Sequence, residues 1–197
     1  MTRTAHYELE STLYKLVQAA LEQTLKSCSP SLPWVTSKAD ALDDLRHETC
    51  IVLTISSFKF KIMCLLHLTL DAANRAFVAE ATATRAEELD EAAYTDYLME
   101  MSNSFCGNFK RHLQGSCPPL GMSTPNFLDR GCLDFDNIKL SHTVHVKAQT
   151  AFGEPSLFGA SALVIVRNDG DFTLQHYHEN ISEIDSAAES SGELELF

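Results

Sequence analysis

The chain has 197 residues, 45% apolar and 21% charged, which is ordinary for a globular protein and enough for one well-filled core. Its formal charge of −12 and pI near 5.0 exclude nucleic acid and anionic membrane surfaces as partners, since nothing here neutralises a run of phosphates. An acidic surface suits partners that present lysines or arginines instead.

Along the chain, Leu9, Leu13, Leu16, Val17, Ala20, Leu21 and Leu25 form a helical stripe within His6 to Leu25. Pro30 and Pro33 end it in a loop, beside which Trp34 should bury most of its ring. Thr36 to His47 is polar and reads either as a short helix or as a crossing segment. Thr49 to Ile55 is β-branched and reads as a strand. Ser57 to Leu70 reads as another, with Phe58, Phe60 and Ile62 alternating against Lys59 and Lys61 before the run turns wholly apolar. The short serine junction between them implies antiparallel pairing. Asp71 is a fair N-cap for an alanine-rich helix from Ala72 to about Glu88, and Glu87, Glu88, Asp90 and Glu91 precede a longer helix where negative charge suits the N-terminus.

A strand with Phe127 follows Pro125, and Gly131 marks a turn. Ile138 to Ala148 alternates as a half-buried strand, Phe152 to Pro155 is a turn, and Gly159 to Arg167 is a strand with an apolar middle. Asn168-Asp169-Gly170 is a hairpin turn into Phe172 to Tyr177. This order of elements predicts an α+β fold, with helices packed on a mainly antiparallel sheet. Residues 1–178 are expected to form a single domain, and 179–197 an acidic tail without Lys or Arg.

Cysteines 28, 50, 64, 106, 117 and 132 have no CxxC or zinc-like spacing, and Cys50, Cys64 and Cys106 lie in apolar runs as small core residues. The opening MTRTAHYELEST lacks an apolar signal segment, and no apolar run reaches the ~18 residues of a membrane helix. The expectation is a cytoplasmic chain with reduced thiols. His176 and His178 share a strand face but lack a third ligand, and His142 and His145 do not share one, so no metal site is expected. No phosphate loop, GxSxG or HExxH appears.

The chemistry concentrates in Tyr94 to Leu128. On a helical wheel Tyr94, Leu98, Met101, Phe105, Phe109 and Leu113 fall on one side and should be buried. Asp96, Glu100, Asn103 and Gly107 stack on the other, facing outward. Such a row is by itself the usual solvated face of a helix. Cys106 falls away from it and has no histidine partner, so it is not read as a nucleophile.

The longer spacing sets the row apart. Asp96-x3-Glu100-x2-Asn103-x21-Pro125, with Ser123 before the proline, Gly131 after it and the Gly107-Asn108 pair, resembles the signature of the CheC/CheX/FliY phosphatases. These are bacterial chemotaxis proteins that dephosphorylate response regulators. The resemblance implies a helix exposed on a sheet, with Glu100 and Asn103 as catalytic residues and Asp96, Gly107 and Pro125 contributing to partner binding. Asn103 would position the attacking water, and Glu100 would pair with a lysine of the CheY-like receiver. No cofactor is expected on this chain, because Mg²⁺ would sit on the phosphorylated partner. The first helix has Glu10 but Leu13 where the pattern needs Asn, so one site is expected, as in CheX, and with it a homodimer. The alternative is a non-catalytic binding or scaffold module of the same fold.

Overall fold

β-Branched and apolar residues meet two short serine side chains at positions 56 and 57, and there the chain reverses. Thr49–Ser56 (β2) pairs antiparallel with Phe60–Leu68 (β3), Ile55 opposite Ile62. The Ser57 hydroxyl accepts the N–H groups of Lys59 and Phe60 at 3.1 and 3.2 Å, closing the turn. Phe58 therefore belongs to the turn, 68% exposed, and not to the alternating strand expected for it. This computed structural model describes residues 3–45, 47–114, 119–133, 135, 138–151, 153–167, 172 and 174.

Among those residues one seven-stranded sheet carries three α-helices. The remaining strands are Trp34–Ala39 (β1), Gly121–Met122 (β4), Asn126–Asp129 (β5), His142–Thr150 (β6) and Gly153–Val166 (β7). Their order is β1-β6-β7-β3-β2-β4, with β5 also on β2, and every pairing is antiparallel. The helices are Arg3–Cys28 (α1), Ala72–Ala81 (α2) and Glu91–Gln114 (α3). Packing α1 over β1, β6 and β7, and α3 over β2 and β3, makes the α+β architecture expected from the sequence. The core between the layers is built from alternate strand residues, Ile62, Cys64, Leu66 and Leu68 of β3 and Phe158, Ala160, Ala162 and Val164 of β7. Trp34 joins it at one corner, edge-on to Phe77 of α2 at 5.7 Å, while Phe77 meets Phe158 at 5.1 Å.

Several boundaries differ from the expected ones. Thr36 to His47 holds both most of strand β1 and a short 3-10 helix at Leu42–Leu45. α2 stops at Ala81 rather than near Glu88, because Ala83 turns left-handed at φ 52° and the Thr82 hydroxyl back-bonds the Val78 carbonyl at 2.8 Å. β6 begins at His142 rather than Ile138, and β7 already at Gly153, where a turn was expected. The Asn168–Gly170 turn, the acidic tail, and His176 and His178 lie outside the described residues.

Candidate functional site: the outward ridge of α3

Asp90 starts α3 by accepting the Ala93 N–H at 2.8 Å, an N-cap that fixes where the helical phase begins. From that origin Tyr94, Leu98, Met101, Phe105, Phe109 and Leu113 are each no more than 4% exposed, so the stripe is anchored along the whole helix. Tyr94 also donates to Asn74 at 3.0 Å, tying α3 to α2, and burial raises its phenol to about 12. With one side nailed down, the opposite side has no freedom of phase.

That side presents Asp96 and Glu100, both exposed, and Asn103 and Gly107, both half-exposed. Successive members are three or four residues apart, or about 5 to 6 Å of helical rise. None of the three polar side chains bonds another described residue, so their donors and acceptors remain available to a partner. Beside them Gly107 leaves a notch, since a Cβ built there would meet nothing within 4 Å. The structure thus brings together four of the five residues singled out in the sequence.

Pro125 is the fifth, on the segment that pairs with β2, the strand α3 packs against. It separates β4 from β5 on the sheet edge, where β2 pairs Ile55 with Met122 but Val52 with Asn126. The edge carries one extra residue over that stretch, a bulge at a position where proline can donate nothing. Ser123 holds the register by accepting the Thr54 N–H on its hydroxyl and donating its own N–H to the Thr54 carbonyl, both at 2.9 Å.

The other sequence features resolve into packing. Leu13 is fully buried, so α1 cannot repeat the exposed Glu/Asn row. Cys106 is fully buried, hydrogen-bonded to the free thiol of Cys64, which burial and this neighbour push well up. Asn108, only 6% exposed, donates to the Thr24 hydroxyl at 2.9 Å, and Thr24 in turn donates to the Ala20 carbonyl at 2.8 Å. The asparagine of the Gly107-Asn108 pair therefore pins α3 to α1. Its carboxamide oxygen accepts from Arg111, one turn onward. The bond to Thr24 was not legible in the sequence, because Thr24 lies 84 positions away.

A separate polar cluster lies on the far face of the sheet. The Ser161 hydroxyl bridges His67 at 2.9 Å and His145 at 2.7 Å, and His47 stands nearby, with Arg130 donating to its carbonyl at 3.4 Å. Burial first, then the Arg130 charge, lowers His47 to about 4; burial, then His47 and Arg130, lowers His67 to about 3. His142 sits on the opposite face, 3.7 Å from Glu10 of α1. Among the described residues no three His, Cys, Asp or Glu side chains gather around a common point, and no helix is long and apolar enough to cross a membrane.

This sheet with its outward helix matches solved structures closely in shape and hardly at all in sequence. A CheC-like protein from Shewanella oneidensis MR-1 superposes with a TM-score of 0.61 at 11% identity, over 78% of this chain and 98% of that one. The chain has the CheC/CheX fold. CheX from Vibrio vulnificus gives 0.58 at 15% identity over 78% and 99% of the two chains. The CheX of a CheX–CheY–BeF3–Mg²⁺ complex from Borrelia burgdorferi gives 0.57 at 11% over 76% and 96%. No protein-family profile matches the sequence, and neither does any curated protein. Those three solved chains are covered almost end to end, and on this chain the outward face of α3 carries the unengaged side chains of Asp96, Glu100 and Asn103.

Proposed function

We propose that this chain accelerates hydrolysis of the aspartyl phosphate on a response-regulator receiver domain. What carries the reading is the unengaged Glu100/Asn103 pair beside the Gly107 notch, on the anchored helix of a CheC/CheX fold. A CheX of that fold has been captured with CheY and beryllofluoride, which stands in for the phosphoryl group. An acyl phosphate is already activated, and the receiver brings its own Mg²⁺ and lysine, so this chain needs no cofactor. Placement is what remains to be supplied. The Asn103 carboxamide oxygen accepts a hydrogen bond from the attacking water while its nitrogen donates to the partner. Glu100 pairs with the receiver lysine and fixes the helix over the phosphoryl group. Asp96 extends the anionic ridge, Gly107 admits the partner's backbone, and Pro125 shapes the return strand at the sheet edge beside the helix. The chain would work as a homodimer.

Release of phosphate from purified phosphorylated receivers tests this reading. Asn103→Ala should cut turnover on the order of a hundredfold while binding to a beryllofluoride-loaded receiver stays within a few-fold. Glu100→Ala should weaken binding and turnover together, because it strips a partly desolvated lysine of its match. Were the chain a scaffold, Asn103→Ala would shift affinity with no turnover to lose. Unchanged release by Asn103→Ala, on a receiver the wild type does dephosphorylate, would refute the water-positioning role.

A further inference from the structure

The outward row does not end at the notch. One turn beyond Gly107, in the same phase as Glu100, stands Arg111, exposed and near the C-terminus of α3. Helical side chains lean toward the N-terminus, so Arg111 would overhang Gly107. It does not fill the notch, since nothing lies within 4 Å of a Cβ built there. Its guanidinium is drawn aside to the carboxamide oxygen of Asn108, which Thr24 holds from below. The bonded chain Ala20–Thr24–Asn108–Arg111 thus runs from inside α1 to the surface and leaves four guanidinium N–H groups or fewer facing out. No described carboxylate pairs with Arg111, in a chain with 27 acidic residues against 15 Lys and Arg.

We propose that Arg111 is a docking and specificity residue that pairs with a carboxylate on the receiver. This rests on the phosphatase reading above. Arg111 is fixed at the C-terminal end of a ridge whose other end carries Asp96 and Glu100, with half-exposed Lys110 beside it, and in a strongly acidic chain it selects for an acidic group at one place on the partner and repels a basic one. The phosphoryl group is not its target: Arg111 lies eight residues past Asn103, roughly 12 Å along the axis, and it is tied away from that side. Because Asn108 already orders the side chain, little rotamer freedom is lost on docking. The ridge then reads its partner at two charges of opposite sign, lysine against Glu100 and carboxylate against Arg111, with Asn103 between them.

The test measures phosphate release as a function of receiver concentration for the wild type, Arg111→Lys, Arg111→Gln, Arg111→Glu and Asn103→Ala, at low and moderate salt. Arg111→Gln should raise KM several-fold and Arg111→Glu roughly tenfold, with kcat within about threefold of wild type. Arg111→Lys, which keeps the charge, should stay within about threefold in KM, and the salt dependence of KM should flatten in Arg111→Gln. A KM for Arg111→Glu within twofold of wild type, while Asn103→Ala still abolishes turnover, would overturn the inference and leave the phosphatase reading standing. Loss of kcat in place of KM would overturn it too, because Arg111 would then act on the chemistry. If the wild type turns over no receiver and Asn103→Ala changes nothing, the phosphatase reading fails and this inference with it.

Discussion

Gly107 sits in the middle of a helix that runs from Glu91 to Gln114, where glycine is a poor choice by roughly 0.5 to 1 kcal/mol relative to alanine. Nothing in the chain's own packing requires it, since a methyl group at that position would enter open space. Gly107→Ala should therefore stabilise the fold by about that amount in denaturant titration while weakening engagement of a phosphorylated receiver. A more stable variant with an unchanged KM would show that no partner backbone enters the notch. The buried stripe and the outward row of α3 were legible because both follow from one helical period and one N-cap. Asn108 was not: its neighbours in sequence are half-exposed on one side and buried on the other, and only the approach of Thr24 decides which it joins.

At the scale of elements, the two edges of the sheet are treated differently. β4 and β5 are short, and the bulge at Pro125 between them leaves a poor template for another strand. β1 pairs with β6 along its inner edge, and among the described residues nothing pairs with its outer one. It is six residues long, carries a single charge, Lys38, and leaves Val35 46% exposed. An edge of that kind is suited to a second copy, so sedimentation at high micromolar concentration should find a dimer. A monomer there would count against the homodimer. β1 itself escaped the sequence because a half-covered edge strand has too few apolar positions to set a period of two. The end of α2 escaped it for another reason, since the left-handed residue that closes the helix is Ala83 and not a glycine.

Across the whole molecule, stability should depend on pH through the far face of the sheet. His67 of β3 and His145 of β6 meet through Ser161 of β7, and His47 reaches them from the segment between Leu45 and β2, so no local pattern announced them. Arg130 adds a permanent cation there, held by the Leu42 carbonyl at 2.7 Å and Asp43 at 2.9 Å, while Asp71 and Asp44 favour protonation only weakly. The folded state therefore keeps His47 neutral to about 4 and His67 to about 3, against 6.5 when unfolded. Between those values the unfolded chain binds more protons, so stability is fullest above 6.5 and falls with pH below it. Over the interval from about pH 6.5 to 5 each of the two should remove roughly 1 to 2 kcal/mol. Most carboxylates titrate lower, near 4, so that interval isolates the histidines. Denaturation midpoints followed across it should drop steadily toward acid, with no ring signal from His67 titrating in the native state. A midpoint that stays level from pH 7 down to about 5 would mean that these rings are hydrated or already charged, and the buried cluster would lose its claim to set the acid limit of the fold.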